Sequence, residues 1–152
     1  MKLLIPSKRR DGEMDVDALQ SEVRALQEQV AEVIGAALVS VDGMPITAVE
    51  LDGAALEGLA ALAAAFLAVA QRVAHEVSRG DFCETVIRCE AGYVAFYAAG
   101  PRLLLVVLTE QGLNLARLHM EARTSVKRIT TLVDASGALK SEPRKQPSTK
   151  RK

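Results

Sequence analysis

Leu103 to Leu108 reads LLLVVL, an unbroken apolar run of about the length of one strand. Successive side chains of a strand point to opposite sides of a sheet, so a run without a polar member is apolar on both faces. Such a strand belongs in the centre of a sheet that is covered above and below. The rest of the chain must therefore supply flanking strands and helices for both faces. Of its 152 residues 49% are hydrophobic, yet only 3% are aromatic and Trp is absent. The core is then made of Ala, Leu and Val, and stacking platforms for bases or sugars are scarce. This length suits one domain with a substantial core and is short for two.

The flanking elements follow from hydrophobic period. Between Asp15 and Gly35, Leu19, Val23, Leu26, Val30 and Val33 recur every three or four residues and form the buried stripe of a first helix. Asp17 with Gln20 resembles a capping box at its start, and Gly35 suits its end. The period then changes to two. AALVSV and MPITAVEL read as a hairpin turning at Asp42-Gly43, a pair that accepts a two-residue type I′ turn. Pro45 has no N–H to donate, which places the second strand at an edge.

Ala54 to Arg79 forms a long second helix. Its apolar arc, from Val69 and Leu62 through Val73, Phe66 and Leu59 to Ala60, spans about 180°, wider than packing on one sheet requires. The opposite arc interleaves Ala61, Ala64, Ala65 and Ala68 with Arg72 and other charged residues. Two contacts are expected, the sheet below and a partner beside, with Leu56, Leu59, Phe66 and Val73 in the core. The plain alternative is that alanine is the best helix former. After Gly80 come the strand DFCETVIRCE, the strand YVAFYAA and the apolar run itself. A last helix begins near Leu113 and buries Leu115, Leu118, Ala122, Val126, Ile129 and Val133. The whole is an α+β domain over residues 15–134, with a basic arm over 1–14 and a basic tail over 135–152.

The formal charge is zero, but it is unevenly spread. Residues 1–10 hold four bases and no acid, and residues 140–152 hold six bases against Glu142. An acidic body thus carries two basic ends. These read as solvated segments with little to bury, the functional alternative being a weak grip on phosphates, lipid headgroups or an acidic partner. The apolar stretch Leu3 to Pro6 is too short for a signal peptide. The uncharged run between Glu57 and Arg72 is shorter than the roughly 20 residues of a membrane span. No transmembrane segment and a cytoplasmic location are expected. Cys83 and Cys89, six apart on one strand, are about 20 Å from each other and cannot bridge within it. They read as buried thiols, although Cys83 on an edge can form a disulfide between chains.

No constellation of catalytic residues stands out. There is no glycine loop of the phosphate-cradling type, and no ligand set with metal-binding spacing. His75 and His119 lie on different helices without a partner nearby in sequence, and Ser40 and Ser125 sit on no nucleophile elbow. Catalytic, metal-binding and cofactor-binding residues are all expected to be absent, and specific nucleic-acid binding with them.

The segments GAALVSVDGMPITA and VIRCEAGYVAFYAAGPRLLLVVLTEQGLNLARLHMEA, with the Ala-rich helix between them, resemble the roadblock (dynein light chain) family, and within it the MglB-type bacterial regulators. The likeness extends over about residues 15 to 134. It implies a profilin-like or longin-like five-stranded antiparallel sheet of order 2-1-5-4-3 with helices on both faces. It implies a homodimer formed through the second helix and third strand, which binds a small Ras-like GTPase and modulates its hydrolysis without supplying an arginine finger. On that reading Ala61, Ala64, Ala65, Ala68 and Arg72 face the partner, and Cys83, Thr85 and Val86 line the dimer edge. A dimeric scaffold without effect on any GTPase and a small-molecule sensor are the alternatives.

Overall fold

The computed structural model describes residues 12–137, so most of the basic arm and tail lies outside the described residues. The elements run α1 (Val16–Gln29), β1 (Val33–Ser40), β2 (Pro45–Val49), α2 (Gly53–Glu76), β3 (Glu84–Cys89), β4 (Gly92–Ala99), β5 (Leu103–Glu110) and α3 (Leu115–Ser136). All strand pairs are antiparallel, in the order β2-β1-β5-β4-β3. The apolar run is the central strand, with Leu104, Leu105, Val106 and Val107 wholly buried. Pro45 opens edge strand β2, where its missing N–H costs no ladder bond.

Each face of β5 has its own core. On one side Leu105 and Val107 join Leu38 and Tyr97 beneath Leu19, Val23 and Leu26 of α1 and Leu118, Ala122, Ile129 and Val133 of α3. On the other side Leu104 and Val106 join Ala37, Val39 and Phe96 beneath Ala60 and Ala63 of α2. The small side chains of Ala60 and Ala63 let α2 lie close to β1 and β5. Phe66 extends this contact sideways by stacking on Phe96 of β4, with ring centroids 4.8 Å apart.

Three local expectations are revised. The cap of α1 is Asp15, whose Oδ1 accepts from Ala18 N at 3.1 Å, one turn-start earlier than Asp17. That helix ends at Gln29, because Val30 is already extended and Glu110 N donates to Glu32 O, drawing the chain onto β5. Gly35 is therefore a residue of β1, at a bulge where a Cβ would meet the Leu51 side chain at 3.2 Å. The β1–β2 connection is also longer than a two-residue turn. Gly43 N donates to Ser40 O, Ser40 N donates to Met44 O, and positive φ occurs at Gly43 (86°) and not at Asp42. This is a three-residue loop closed by a glycine bulge. Ser40 Oγ accepts from Met44 N at 3.0 Å and reinforces it.

By length and composition α2 is apolar enough to cross a membrane, which the uncharged run alone understates because Glu57 and Arg72 interrupt it. In this fold it rests one flank on the sheet. Leu105→Ala, at the centre, is expected to lower stability by about 2–5 kcal/mol in urea unfolding, whereas Leu62→Ala on the outer side of α2 should stay within about 0.5 kcal/mol for the isolated domain.

Candidate functional site

The wide apolar arc of α2 divides lengthwise. One half, centred on Ala60 and Ala63, is buried, and Leu56, Leu59, Phe66 and Leu67 are half-buried beside it. The other half faces outward: Leu62 is 70% exposed, Val69 62%, Val73 58% and Val77 56%. Val73 is thus a surface residue rather than the core residue expected. The reason is geometric, since one helix on a five-stranded sheet touches only β1, β2 and β5 substantially. Side chains on its far flank have no element to meet.

The alanines lie beside this stripe. Ala61, Ala65, Ala68 and Arg72 are exposed. Ala64 is half-buried, against the β1–β2 loop, where a Cβ on Gly43 would lie 3.5 Å from its own. The outer surface of α2 is therefore an aliphatic ridge flanked by a low alanine strip that ends in one cation. The sequence pattern identified the strip but missed the ridge, whose signal was an apolar arc wider than a sheet contact needs.

The second half of the site is the edge strand β3. Thr85 and Val86 are half-buried, with Val86 packed against the core under α1 and α3. Cys83 and Cys89 are both exposed, contrary to the expectation of buried thiols. Burial failed because β3 is at the edge of the sheet and α2 does not reach over it. The strand is held from the other side by charge. Glu84 accepts from Arg123 of α3 through both carboxylate oxygens, the Nε contact being 3.0 Å, and His119 Nδ1 lies 3.7 Å from it. The bond from Arg123 holds the Glu84 carboxyl below its ordinary value against the opposing effect of burial, with the charges of Arg123 and His119 assisting. Tyr97 lies at the base of this cluster, its hydroxyl 2.9 Å from His119 Nδ1. Burial, with the charge of Glu84, pushes its pKa well above the usual tyrosine range and keeps the phenol protonated.

A second polar group ties the end of α2 to the approach of β3. Gln71 Nε2 donates to Asp81 at 3.1 Å, its Oε1 accepts from Phe82 N, and His75 Nε2 is 3.2 Å from Asp81. Helix and edge are thereby held in one frame. Between β3 and α3 lies an open cleft of about 430 Å³ lined by Cys83, Glu84, Tyr97, Arg123 and Lys127 among others. Among the described residues no group of three His, Cys, Asp or Glu is placed to hold a metal ion.

An antiparallel sheet in this order, with two helices on one face and one on the other, is the roadblock architecture. The model of the Roadblock/LC7 domain matches residues 19–109, and the chain belongs to that family. Its fold is similar to that of Myxococcus xanthus MglB, with a TM-score of 0.76, 16% identity, and coverage of 82% of this chain and 93% of that one. A Roadblock/LC7 domain from Streptomyces avermitilis gives 0.72 and 22%, with 76% and 97% covered. An MglB solved in a tetrameric arrangement gives 0.73 and 18%, with 80% and 91% covered. No curated protein sequence matches the chain.

The lowered value of Glu84 sets the sign of an acid effect. A carboxyl more acidic in the folded state stabilises it above the unfolded value near 4.5, and that contribution is lost as pH falls through the lowered folded value. Protection of the β3 amides, corrected for the intrinsic exchange rate at each pH, should therefore fall below about pH 4.5 more than protection of the β5 amides. Glu84→Gln should remove that difference, and an unchanged acid profile in this variant would contradict the assignment.

Proposed function

We propose that this protein is a non-enzymatic regulator that acts as a homodimer in the cytoplasm, binds a small Ras-like GTPase and modulates its GTP hydrolysis. The observation that carries this reading is the uncovered aliphatic ridge Leu62, Val69, Val73 and Val77, which lies on a rigid helix above a sheet with an open edge. An aliphatic surface of this kind favours association, since each large side chain removed from water contributes about 1.5–3 kcal/mol when fully buried. A second copy offers the same ridge, and two-fold pairing of like surfaces is the commonest way soluble chains assemble. Family membership and the fold shared with MglB proteins, one of which has been solved as a tetramer, support the assembly.

In this arrangement the ridge and the β3 edge, with Cys83, Thr85 and Val86, join the two copies. The strip Ala61, Ala65, Ala68 and Arg72, bordered by Ala64, then forms a platform for the GTPase. Catalysis stays with the GTPase. The platform changes its rate only as far as it binds the hydrolysis-competent switch conformation more tightly than the other. Arg72 is a docking residue on this reading and not an arginine finger. A scaffold that holds the GTPase without altering turnover would use the same surface, and a kinetic assay separates the two.

Val69→Glu should leave the circular dichroism spectrum and thermal transition in place while converting the dimer to monomer in sedimentation velocity. A monomeric wild-type protein at micromolar concentration would reject the assembly. For function, a Ras-like GTPase encoded beside this protein is mixed with it and phosphate release followed. Faster hydrolysis that is lost in Ala65→Glu/Ala68→Glu supports the regulator. Binding without acceleration selects the scaffold, and neither binding nor acceleration rejects both.

A further inference from the structure

We infer that the β3 edge pairs with itself in one particular register, with Val86 on the two-fold axis, and that this register sets Cys83 of each copy opposite Cys89 of the other. The inference rests on the two-copy reading above and adds to it the register and its chemistry. The starting point is which backbone groups of β3 are free. Cys83 O accepts from Ala98 N at 2.8 Å, and β3 pairs with β4 from Glu84↔Tyr97 to Cys89↔Gly92. In an antiparallel pair, hydrogen-bonded and non-bonded positions alternate. Cys83, Thr85, Ile87 and Cys89 therefore direct their N–H and C=O groups toward β4, and Glu84, Val86 and Arg88 direct theirs toward the open edge. An edge with three outward-facing residues is a template for another strand.

Two copies related by a two-fold axis can meet only so that outward residues face outward residues, and side-chain charge then selects among the choices. Centring on Glu84 sets Glu84 against its own copy, and centring on Arg88 sets arginine against arginine. Centring on Ile87 places Glu84 opposite Glu90. Centring on Thr85 leaves Arg88 opposite Phe82 and Glu84 opposite Val86. Only the Val86 centre places Glu84 opposite Arg88 twice, with Thr85 opposite Ile87 and every outward group used. Opposite charges across a strand pair favour it and like charges oppose it, each by about 0.2–1 kcal/mol. Arg123 holds Glu84 on α3's side of the sheet through both carboxylate oxygens, each of which can accept a second donor, and Arg88, two pairs of residues along the same face, is exposed beside the edge.

The same register has a chemical consequence. Cys83 and Cys89 of opposite copies occupy a non-hydrogen-bonded position, where Cα atoms lie about 4.5 Å apart, inside the range that a disulfide spans. Each dimer then holds two thiol pairs, one at either end of the paired strands, and both thiols are exposed. A low-molecular-weight disulfide such as oxidised glutathione can couple each pair by exchange. One protein thiolate attacks the reagent and releases one small thiol, and the second protein thiolate attacks the mixed disulfide and releases the other. The two protein sulfurs are oxidised, the reagent is reduced to two thiols, and a reversible dimer becomes a covalent one.

The test treats the full chain with oxidised glutathione and reads covalent dimer by non-reducing electrophoresis, beside sedimentation velocity under reducing conditions. The expected result is a covalent dimer in the wild type that is absent in both Cys83→Ser and Cys89→Ser. Arg88→Glu should weaken the reduced dimer by at least about fourfold, as two facing pairs change from opposite to like charge. A cross-link that survives either single substitution means that like cysteines meet, and overturns the register. A reduced dimer that forms no cross-link overturns it as well. A protein that is monomeric when reduced defeats the two-copy reading itself, and is distinguished from those outcomes by the sedimentation data.

Discussion

A strand without a polar face imposes a requirement that the chain meets only in part. β5 is apolar on both sides, so each face of the sheet has to be covered, and three helices are available among the described residues. Two of them, α1 and α3, pack together over one face and close it. The other face receives α2 alone. One helix is about 10 Å across and adjacent strands are about 4.8 Å apart, so it spans two or three strands of five. The uncovered ends of that face and the outer flank of α2 follow from this arithmetic. The surface assigned to function is what the packing of β5 leaves over.

The elements around that surface make it stiff. Phe66 on Phe96 and the Gln71–Asp81–Phe82 bonds hold α2 to the β4–β3 side of the sheet. Glu84 and Arg123 hold the edge strand to α3 from the opposite face. The edge is thereby anchored by charge below and open along its backbone, with apolar ridge above. Pre-ordered groups lose little freedom on association, which favours binding by this surface. The tight β4 entry belongs to the same design: Gly92 has φ 150°, and a Cβ there would lie 1.9 Å from Thr109 O, so only glycine lets the hairpin from β3 fold this closely onto β5.

Much of the fold was legible from the chain. The stripe Leu19, Val23, Leu26, Val30 and Val33 is entirely buried, and Leu118, Ala122, Ile129 and Val133 are buried as their spacing predicts. Pro45 lies at an edge, and the order of elements gives the sheet order that the family resemblance implied. The misreadings are of one kind. Gly35 has the residue type of a helix end, Asp42-Gly43 that of a two-residue turn, and the cysteines and Val73 that of a core. In each case residue type states what a position tolerates, and the contacts made on folding decided what it does: the pairing with β5 for Gly35, the local Ser40, Gly43 and Met44 bonds for the turn, and the limited reach of α2 for Cys83, Cys89 and Val73.

The sequence by itself determined the elements, the central place of β5 and the existence of a wide apolar arc on α2, because periodicity and the absence of polar residues are properties of a segment. It also showed the alanine strip Ala61, Ala65 and Ala68 beside Arg72 on α2. Which half of the arc is buried, which thiols are exposed and which backbone groups of β3 are free were decided by the tertiary structure. Those properties depend on what lies across the sheet from each residue, and hydrophobic patterning cannot distinguish a side chain covered by its own domain from one left exposed.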